Sequence, residues 1–577
     1  MADRVLRIIP AVALVLLAAC SRQPSAPAKP EQPSATQLHT LFEDVAEQTG
    51  LRFHHFNGGT GEYFMPEIMG SGVALLDFDN DGDLDVFLPQ GDFQQPGKTR
   101  KDMQYPMPAD WKPGSRLFRN EMVPQGQLRF TDVTDSSGIV TKFSAMGVAV
   151  GDFDNDGYLD LLATGLNQCA LFRNLGNGKF EDVTKRVGIE DTLLSTSAVF
   201  FDYDRDGWLD LFITNYVRGT TLEAKKCRNP AAELDYCGPK AFEPSISQLF
   251  HNEGGKRFRD VTSSSGIGSA AGPGLGVLAA DFNSDGWTDL YVANDGAASY
   301  LWLNQKNGTF REAGLEMGVS YSADGKAQAG MGVAVGDIDN DGVEELFKTN
   351  LATEGANIYK KDAAGGYVDA AAKMNAFKAT VPFTGFGVGL SDFDNDGWLD
   401  GFVANGAVMV MESQRGKPYP FRQKNLMLPN RNGVFQAPET ETGPFAEWMV
   451  SRGAAFGDID NDGDVDLVVS NNNGPVKLYR NRLILPGRQN PHWLQVRLQT
   501  PDAGLRGYQS IVTVETPSGR KQIRRVDPAG SYLSSSEAIA HFGIGVEQSV
   551  AKLTVSWPDG TQTSFVPQID QSVTIKK

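Results

Sequence analysis

The sequence predicts an all-β protein built from seven copies of one unit, and three observations support this prediction. An acidic loop of the form Asp-x-Asp/Asn-x-Asp-Gly-x-x-Asp/Glu occurs seven times, with starts 50 to 79 residues apart, a spacing typical of a repeat architecture. Each copy runs into a short apolar stretch such as LDLLATG or LDLFITN, which has the length of a buried strand. Hydrophobic residues make up 41% of the 577 residues, and 63 glycines suit a chain rich in turns.

Each copy carries four strand-like pieces in a fixed order. An apolar strand such as MGVAVGD (146–152) precedes the loop and its apolar stretch; a Leu-aromatic-x-Asn segment (LFRN, 171–174) and a Phe-x-Asp-Val-Thr segment (FEDVT, 180–184) follow. Four strands in each of seven units predict a seven-bladed β-propeller over 40–486, because each small sheet can bury its faces only against its neighbours.

The two ends of the repeat array predict that the ring closes. The last unit stops at LYRN (478–481), whereas an orphan FEDVA stands before the first unit at 42–46. We expect the strand 42–46 to complete blade 7, which would leave no sheet edge open.

The spacing of the acidic loop predicts its chemistry. Carboxylates at positions 1, 3 and 5 converge if the backbone turns sharply, and the Gly at position 6 permits such a turn. Hard oxygen ligands suit Ca²⁺, which takes six to eight of them at flexible angles. The loop leads into a strand and not a helix, so an EF-hand protein is excluded. One such loop could be a solvated turn, but seven in register predict up to seven Ca²⁺ ions.

The predicted ligands occupy positions 1, 3, 5 and 9 of the loops, which we number 1 to 7 along the chain. They are Asp77, Asp79, Asp81 and Asp85 in loop 1; Asp152, Asp154, Asp156 and Asp160 in loop 2; Asp202, Asp204, Asp206 and Asp210 in loop 3; Asp281, Asn283, Asp285 and Asp289 in loop 4; Asp337, Asp339, Asp341 and Glu345 in loop 5; Asp392, Asp394, Asp396 and Asp400 in loop 6; and Asp458, Asp460, Asp462 and Asp466 in loop 7. We expect Asn283 and Glu345 to give weaker binding or altered geometry.

The formal net charge of −18 is accounted for mainly by these loops. The negative charge is therefore interpreted as a property of the metal sites rather than as a general charge of the protein surface. The sequence contains no block of Lys and Arg that would indicate a nucleic-acid partner.

The N-terminus predicts export. Arg4 and Arg7 precede an apolar run (8–17) that ends in Leu-Ala-Ala-Cys, the pattern of a signal peptide over 1–19, and the run is too short to span a membrane. Its end resembles the lipobox of bacterial lipoproteins. This resemblance implies that Cys20 is lipidated, that Ser21 favours the bacterial outer membrane, and that the protein contacts the membrane only through its lipid, facing either the periplasm or the outside. A Pro/Ser-rich tether over 20–39 follows.

Cys227 and Cys237 lie in one insertion of the repeat. They could close a short disulfide-bonded loop in an oxidising compartment.

On its seven loops, the region from about 40 to 485 resembles the FG-GAP (VCBS-type) repeat family, which includes the calcium-binding propellers of integrin α subunits. The segment 490–577 contains short alternating strands and predicts a small β-sandwich. Its stretches RRVDPAGSYLSSSEAIAHFGIG (524–545) and LTVSWPDG (553–560) resemble the ASPIC/UnbV domain, which follows such propellers in proteins similar to cartilage acidic protein.

Three insertions between second and third strands, at 90–115, 216–248 and 407–424, predict a binding face opposite the acidic loops. They carry Tyr105, Trp111, Tyr236 and Tyr419, and exposed aromatic rings on loops of a rigid scaffold favour ligand binding. Alternatively, these rings fold back on their own loops. His54 and His55 lie on the same face, either in a metal or acid/base site or as packed or surface histidines.

The leading functional hypothesis is a non-enzymatic, exported, calcium-stabilised scaffold that binds a protein or a glycan at the bacterial cell envelope. The alternative is a carbohydrate-active enzyme of the polysaccharide-lyase type on the insertion-bearing face, with Lys348 or Arg415 as a candidate base. In a third hypothesis, the C-terminal domain binds the ligand and the repeats act as a spacer. No nucleophile elbow or His-Glu-x-x-His motif occurs in the sequence.

Overall fold

The computed structural model describes residues 38–218, 225–229, 232–417, 419–483, 490–501 and 506–577. The predicted signal peptide, Cys20 and most of the tether lie outside these ranges. Among the described residues, no helix has the length and apolar character needed to cross a membrane. The described α-helices are single turns: Ala46–Thr49, Pro66–Met69, Met122–Gln125, Thr134–Ser137 and Ala376–Thr380. The all-β prediction is confirmed.

Each acidic loop joins the first two strands of one antiparallel sheet, and the sheets are numbered 1 to 7 after their loops. The strands are Ala74–Leu76, Asp85–Leu88, Arg116–Asn120 and Phe130–Asp132 in sheet 1; Ala145–Gly151, Asp160–Gly165, Ala170–Asn174 and Phe180–Asp182 in sheet 2; Ser195–Phe201, Asp210–Asn215, Gln248–Asn252 and Phe258–Asp260 in sheet 3; Gly274–Ala280, Asp289–Ala297, Tyr300–Asn304 and Phe310–Glu312 in sheet 4; Val333–Gly336, Glu345–Lys348, Asn357–Lys361 and Tyr367–Asp369 in sheet 5; Gly385–Ser391, Asp400–Asn405 and Leu426–Leu428 in sheet 6; and Ser451–Gly457, Asp466–Asn471, Lys477–Asn481 and Phe42–Asp44 in sheet 7.

Sheet 6 keeps the predicted order of pieces but is interrupted at Pro429. Its third strand Leu426–Leu428 is followed by a tight hairpin of Asn430–Arg431 and Val434–Phe435. Asn432 and Gly433 both have positive φ, 55° and 79°, the conformation of a two-residue hairpin turn. Asn430 pairs with Phe435 as Asn174 pairs with Phe180 in sheet 2, so Val434–Phe435 stands where the other sheets have their fourth strand.

The strands are apolar along their whole length because both of their faces are covered. All six residues of Asp160–Gly165 are buried, and the apolar residues on the two sides of this strand belong to two different core clusters. The outermost strand Phe180–Asp182, by contrast, buries only its Phe and exposes its two acidic residues, which protects the sheet edge from pairing with another chain.

The first strands of the sheets contact one another in cyclic order. Each packs against the first strand of the next sheet, and the strand Ser451–Gly457 of sheet 7 packs against Ala74–Leu76 of sheet 1. In addition, Phe42–Asp44 pairs with Lys477–Asn481 and supplies the fourth strand of sheet 7. The N-terminal segment is thereby hydrogen-bonded to the last sheet of the array.

The C-terminal region folds as two sheets that share one core. One sheet contains Ala540–Gly545, His492–Gln499 and Gln571–Lys576, and the other contains Lys521–Val526, Ser510–Glu515, Lys552–Ser556 and Gln562–Phe565. Val496 and Phe542 from the first sheet pack with Val514 and Leu553 from the second.

The segment 529–536 of this domain, which we call the central segment, leaves the domain and enters the space between the first strands of the repeats. Ser535 pairs with Ala74 of sheet 1, and Leu533 O accepts a hydrogen bond of 3.0 Å from Val148 N of sheet 2. Tyr532 is fully buried against Phe386 of sheet 6, with ring centroids 4.8 Å apart. No pattern in the sequence indicates that this segment packs against the repeats.

The approach of the central segment requires glycine at position 72. A Cβ atom there would lie 1.6 Å from the carbonyl oxygen of Leu533, which no backbone adjustment of a few tenths of an ångström could relieve. The close fit indicates that the C-terminal domain and the repeats share one core.

Replacing Tyr532 by Ala is expected to lower the free energy of unfolding by about 3–5 kcal/mol, because the change leaves a large cavity among fixed strands. Urea unfolding followed by tryptophan fluorescence measures the change. The matched control is Val546→Ala in the same domain, at a side chain that is 87% exposed, where the change should be within about 0.5 kcal/mol. Equal stability of the two variants would show that the central segment is not part of the core.

Candidate metal centres on the acidic loops

The backbone of each acidic loop turns at positions 4 and 6, as the spacing predicts. In loop 2, Asn155 has a φ of 57° and Gly157 a φ of 92°. Asn is one of the few residues with a side chain that adopts this left-handed conformation readily. Position 4 is left-handed in all seven loops, so the turn brings the carboxylates of positions 1, 3 and 5 together.

Backbone amides hold most of these carboxylates in place. In loop 2, Asp152 accepts hydrogen bonds from Asp156 N (3.1 Å) and Gly157 N (2.8 Å). Asp160 accepts from Phe153 N (3.0 Å) and from Asn174 N (2.7 Å) on the third strand. The loop is therefore a preformed cradle whose first and last ligands are fixed by the backbone.

The carboxylate at position 3 is the one left partly unsatisfied. Among the described residues, the Oδ1 atoms of Asp79, Asp154, Asp394 and Asp460 are buried and have no hydrogen-bond partner. In loop 2, Asp152, Asp154 and Asp160 each offer an oxygen within 4.8 Å of the others, and loop 1 has the same arrangement. A buried carboxylate oxygen without a donor is costly, and this oxygen-only donor set fits a hard cation such as Ca²⁺.

The pKa values of the position-1 carboxylates also indicate that the loops need a positive partner. Burial is the largest influence on Asp77, Asp152, Asp202 and Asp337 at position 1, and it raises the pKa of each to about 6 even though the Gly amide at position 6 opposes the shift. Neighbouring carboxylates of the same loop add to the increase. Without a positive partner, the ionised form of each loop is unfavourable.

The protein supplies part of this positive charge from the third strand, which the sequence analysis missed. The residue x of the Leu-aromatic-x-Asn segment, here called the counter-ion position, faces the loop of its own sheet. It is Arg119, Arg173, His251, Leu303, Lys360 and Arg480 in sheets 1 to 5 and 7. In sheet 6 the residue before Asn430 is Pro429, and Arg431, which follows Asn430, faces the loop instead. The signal was present in the sequence, since five of the six residues at this position in the other sheets are basic.

The contacts at this position differ between sheets. Arg173 pairs with Asp154 and, at 2.7 Å, with Asp156. Arg431 and Arg480 pair in the same way with positions 3 and 5 of loops 6 and 7. His251 lies 3.1 Å from Asp210 and 3.4 Å from Asp204. Arg119 instead pairs with Glu121 at 2.7 Å.

The Asn of the same segment links neighbouring sheets. Asn174 Nδ2 donates to Phe78 O in loop 1 (2.7 Å) and to Leu159 O in its own loop (3.1 Å). Equivalent pairs of bonds are made by Asn252, Asn304, Asn430 and Asn481, and Asn120 of sheet 1 reaches Ile459 O in loop 7.

Sheet 5 departs from this pattern. It has Lys361 at the Asn position, and there Tyr367 Oη donates to Phe282 O of loop 4 at 2.9 Å. The hydroxyl of the fourth strand thus occupies the place that the amide of the third strand takes elsewhere.

The C-terminal domain covers the acidic loops. Gly543 N donates to Asp392 Oδ2 (3.0 Å) in loop 6, and Gln495 Nε2 donates to Asp458 Oδ2 (2.8 Å) in loop 7. Arg506 donates to Gly157 O in loop 2 at 2.6 Å. Position-1 carboxylates are therefore partly satisfied by a different domain.

The insertion face corrects one expectation of the sequence analysis. Tyr236 and Tyr419, expected as exposed ligand-binding rings, are only 7% and 5% exposed. Tyr419 packs against Tyr105 with ring centroids 4.8 Å apart, and Tyr236 packs against Phe421. The rings therefore do not point outward. Tyr419 also packs against Phe421 of its own insertion, with ring centroids 5.3 Å apart, and the three insertions meet and bury the rings in a shared cluster.

The two histidines on this face have different environments. His55 is 2% exposed, and burial lowers its pKa to about 3, so it is a neutral packed side chain. His54 and Trp111, by contrast, line a groove of about 470 Å³ between the segment 44–54 and the first insertion. Lys348, the candidate lyase base, is completely buried, and burial lowers its pKa to about 8.

The groove has one aromatic wall and charged rims. Trp111 is half-buried and packs edge-on against Phe56 with ring centroids 5.6 Å apart, and its Nε1–H is itself buried, with no hydrogen-bond acceptor among the described residues. Lys112 pairs with Asp132 at 2.9 Å, and Lys477 pairs with Asp44 at 2.9 Å. In the second insertion, which belongs to sheet 3, Cys227 and Cys237 form a disulfide bond.

These features define a repeat protein whose units each carry an acidic loop, followed by a β-domain that docks on the loops. A family model described as an FG-GAP-like repeat matches residues 152–213, 281–347 and 392–469, and one described as ASPIC and UnbV matches residues 504–577. The chain therefore contains FG-GAP-like repeats and an ASPIC/UnbV domain.

The chain is homologous to cartilage acidic protein 1. It is 28% identical to the human protein over 338 residues, covering 57% of this chain and 47% of that protein. It is 29% identical to the mouse protein over 336 residues (57% and 48%) and 26% identical to the Xenopus tropicalis protein over 317 residues (52% and 44%). The alignments thus span about half the length of these relatives.

Solved structures give weaker similarities. A lectin of Agrocybe aegerita, described as recognising non-reducing terminal N-acetylglucosamine, is 15% identical with a TM-score of 0.37 (63% of this chain, 87% of the lectin). BBS1N in complex with ARL6DN is 8% identical with a TM-score of 0.38 (74% and 96%). Both TM-scores are below 0.5, too low to support a functional comparison.

Replacing Asn174 by Ala is expected to destabilise the protein, because the carbonyls of Phe78 and Leu159 lose their buried donor. Each unsatisfied carbonyl costs about 1–3 kcal/mol, and chemical denaturation measures the sum. The control is Asn177→Ala in the adjacent turn, where the side chain is exposed and little change is expected. If the two variants unfold at the same denaturant concentration, the amide does not link the sheets.

Proposed function

We propose that the seven sheets form a closed seven-bladed β-propeller that calcium stabilises and that serves as a rigid binding scaffold outside the cytoplasm. The observation that carries the proposal is the cyclic order of contacts, in which sheet 7 packs against sheet 1 and Asn120 of sheet 1 bonds to loop 7. A ring of this kind leaves only short, protected sheet edges and holds surface groups in fixed positions.

Calcium is proposed at the acidic loops because their carboxylates lack sufficient positive partners. The unsatisfied position-3 oxygens and the raised pKa values at position 1 both describe negative charge that a divalent cation would neutralise. The predicted ligands at positions 1, 3 and 5 would hold the ion, and position 9 would close the site. At a calcium concentration ten times the dissociation constant, each independent site would add about 1.4 kcal/mol of stability.

Export is proposed from two features. The Cys227–Cys237 disulfide is of a kind that persists mainly in oxidising compartments, and the sequence of residues 1–20 resembles a lipoprotein signal. We therefore propose a bacterial envelope protein anchored through a lipid on Cys20. Extracellular-type calcium sites, with dissociation constants of about 10⁻⁴–10⁻³ M, would be occupied in such a location.

The ligand, a glycan or a protein, is proposed to bind in the groove at His54 and Trp111. The half-buried indole supplies a stacking surface, and the charged rim supplies partners of both signs. The buried Tyr236 and Tyr419 are better explained as the packing that fixes the insertions. The lyase alternative receives no comparable support, because Lys348 is enclosed in the core and Arg415 is paired with Glu233.

Chelation of calcium with EDTA is expected to lower the melting temperature of the full chain by several degrees or more. Each kcal/mol of lost stability lowers the melting temperature of a large domain by ~2–4 °C. Calorimetry with and without calcium, and with Mg²⁺ as the matched control, measures this. Mg²⁺ should restore less stability, since it demands octahedral geometry and keeps its water. An unchanged melting temperature would contradict the calcium proposal.

The calcium effect should also grow as the pH rises from about 5 to about 7.5, because metal binding requires deprotonated ligands. Folding raises the pKa of Asp77 and Asp152 to about 6. In the metal-free protein, the protonated forms of these groups therefore favour folding at low pH, and this contribution is lost as the pH rises through about 6.

Replacing Trp111 by Ala is expected to weaken ligand binding at least tenfold while leaving the melting temperature within a few degrees of wild type. Glycan-array binding and pull-down from envelope extract identify the ligand, and titration of the variant measures the loss. Trp448→Ala, at an exposed tryptophan outside the groove lining, is the control. Undiminished binding by the Trp111 variant would remove the groove from the proposal.

A further inference from the structure

Loop 5 differs from the other six acidic loops at several linked positions. Position 9 is Glu345 where the others have Asp, the counter-ion position is Lys360, and the following position is Lys361 where the other sheets have Asn. These changes lie on adjacent strands of sheet 5, since Leu346 pairs with Tyr359. Glu345 and Lys360 act on the oxygen atoms of loop 5, whereas the Lys361 ammonium donates to Ser284 Oγ of loop 4 at 2.7 Å.

The Lys360 ammonium contacts three of the four predicted ligands of its loop. Its Nζ lies 2.9 Å from Asp339 (position 3), 2.6 Å from Asp341 (position 5) and 2.8 Å from Glu345 Oε1 (position 9). An ammonium has three N–H donors, so each proton has one carboxylate acceptor. The donor set predicted for a metal is thereby satisfied by a side chain of the same sheet.

The longer side chain at position 9 makes this arrangement possible. In loop 2, both oxygens of Asp160 accept backbone amides, from Phe153 and Asn174. In loop 5, Glu345 Oε2 accepts from Ile338 N at 2.8 Å, and Oε1 is directed to Lys360. The extra methylene carries one oxygen away from the third-strand backbone and into contact with the ammonium.

The arginines at the other loops do not occupy the site in this way. Arg173 pairs with positions 3 and 5 of loop 2, and both oxygens of Asp160 at position 9 are held by backbone amides. Arg431 likewise pairs with Asp394 and Asp396. Among the described residues, no other lysine or arginine is recorded in contact with positions 3, 5 and 9 of its loop together.

We propose that loop 5 does not take calcium and that the Lys360 ammonium is its resident counter-ion. Calcium would need the same oxygens at 2.3–2.6 Å and would face a positive charge already in contact with three of them. The inference rests on the proposed function, in which the remaining loops bind calcium. Loop 5 is then stabilised without a metal ion, whereas the remaining loops depend on calcium.

The test counts calcium ions bound to the full chain by native mass spectrometry and equilibrium dialysis with radioactive calcium. Lys360→Met is expected to bind one ion more than wild type, because it frees the carboxylates of loop 5. Lys361→Met, which removes the neighbouring lysine, is the matched control and should bind the same number as wild type. Equal counts for Lys360→Met and wild type would overturn the proposal.

A second pair of variants avoids dependence on the folding of Lys360→Met. Asp341→Asn in loop 5 should leave the calcium count unchanged, whereas Asp156→Asn at the same position of loop 2 should lower it by one. A loss of one ion in Asp341→Asn would overturn the inference and leave the proposed function intact. A wild-type protein that binds no calcium would instead overturn the proposed function. The inference that loop 5 differs from calcium-binding loops would then be overturned as well.

Discussion

The neutralisation of buried negative charge is the constraint on which the rest of this structure depends. Each repeat directs several carboxylates into one turn at the end of its first strand, where burial makes their ionised forms unfavourable. The chain meets this requirement with backbone amides at positions 1 and 9, with basic side chains at the counter-ion position, and with donors from the C-terminal domain. Because these partners come from other strands and another domain, satisfying the loops also fixes how the sheets and domains assemble.

The same requirement explains why the links between sheets lie at the loops. Asn174 bonds simultaneously to the loop of its own sheet and to the loop of the preceding sheet, so a shift of one sheet would expose two buried carbonyls at once. Asn155 at position 4 adds a bond of 3.1 Å to Gly207 O of the following loop. An acidic loop is therefore both a candidate ion site and a joint between neighbouring sheets, and a change in its charge is expected to alter how the sheets pack.

Sequence reasoning identified the features that repeat and missed those that depend on contacts between distant segments. The seven loops, the order of strands within a unit and the all-β class follow from local patterns that recur. The counter-ion residues were visible in LFRN and LYRN but were interpreted only as strand residues. Burial of Tyr236 and Tyr419 was not predictable from either insertion alone, because it results from insertions roughly 180 residues apart meeting on one face. The central segment is similar: nothing in SYLSSS indicates that Tyr532 packs against Phe386.

The C-terminal domain and the insertions each cover one face of the repeats, and this limits where a ligand can bind. The C-terminal domain lies over the acidic loops and sends Tyr532 between the first strands, and the insertions close the opposite face around Tyr105 and Tyr419. In the part of the chain that the structure describes, both faces near the centre of the proposed ring are therefore covered, although both would be natural binding positions in an uncovered ring. The groove at Trp111 lies outside these layers, beside the N-terminal strand that completes sheet 7. Ligand binding there would act on the joint between the first and last sheets, so the site of recognition and the closure of the ring would be physically coupled.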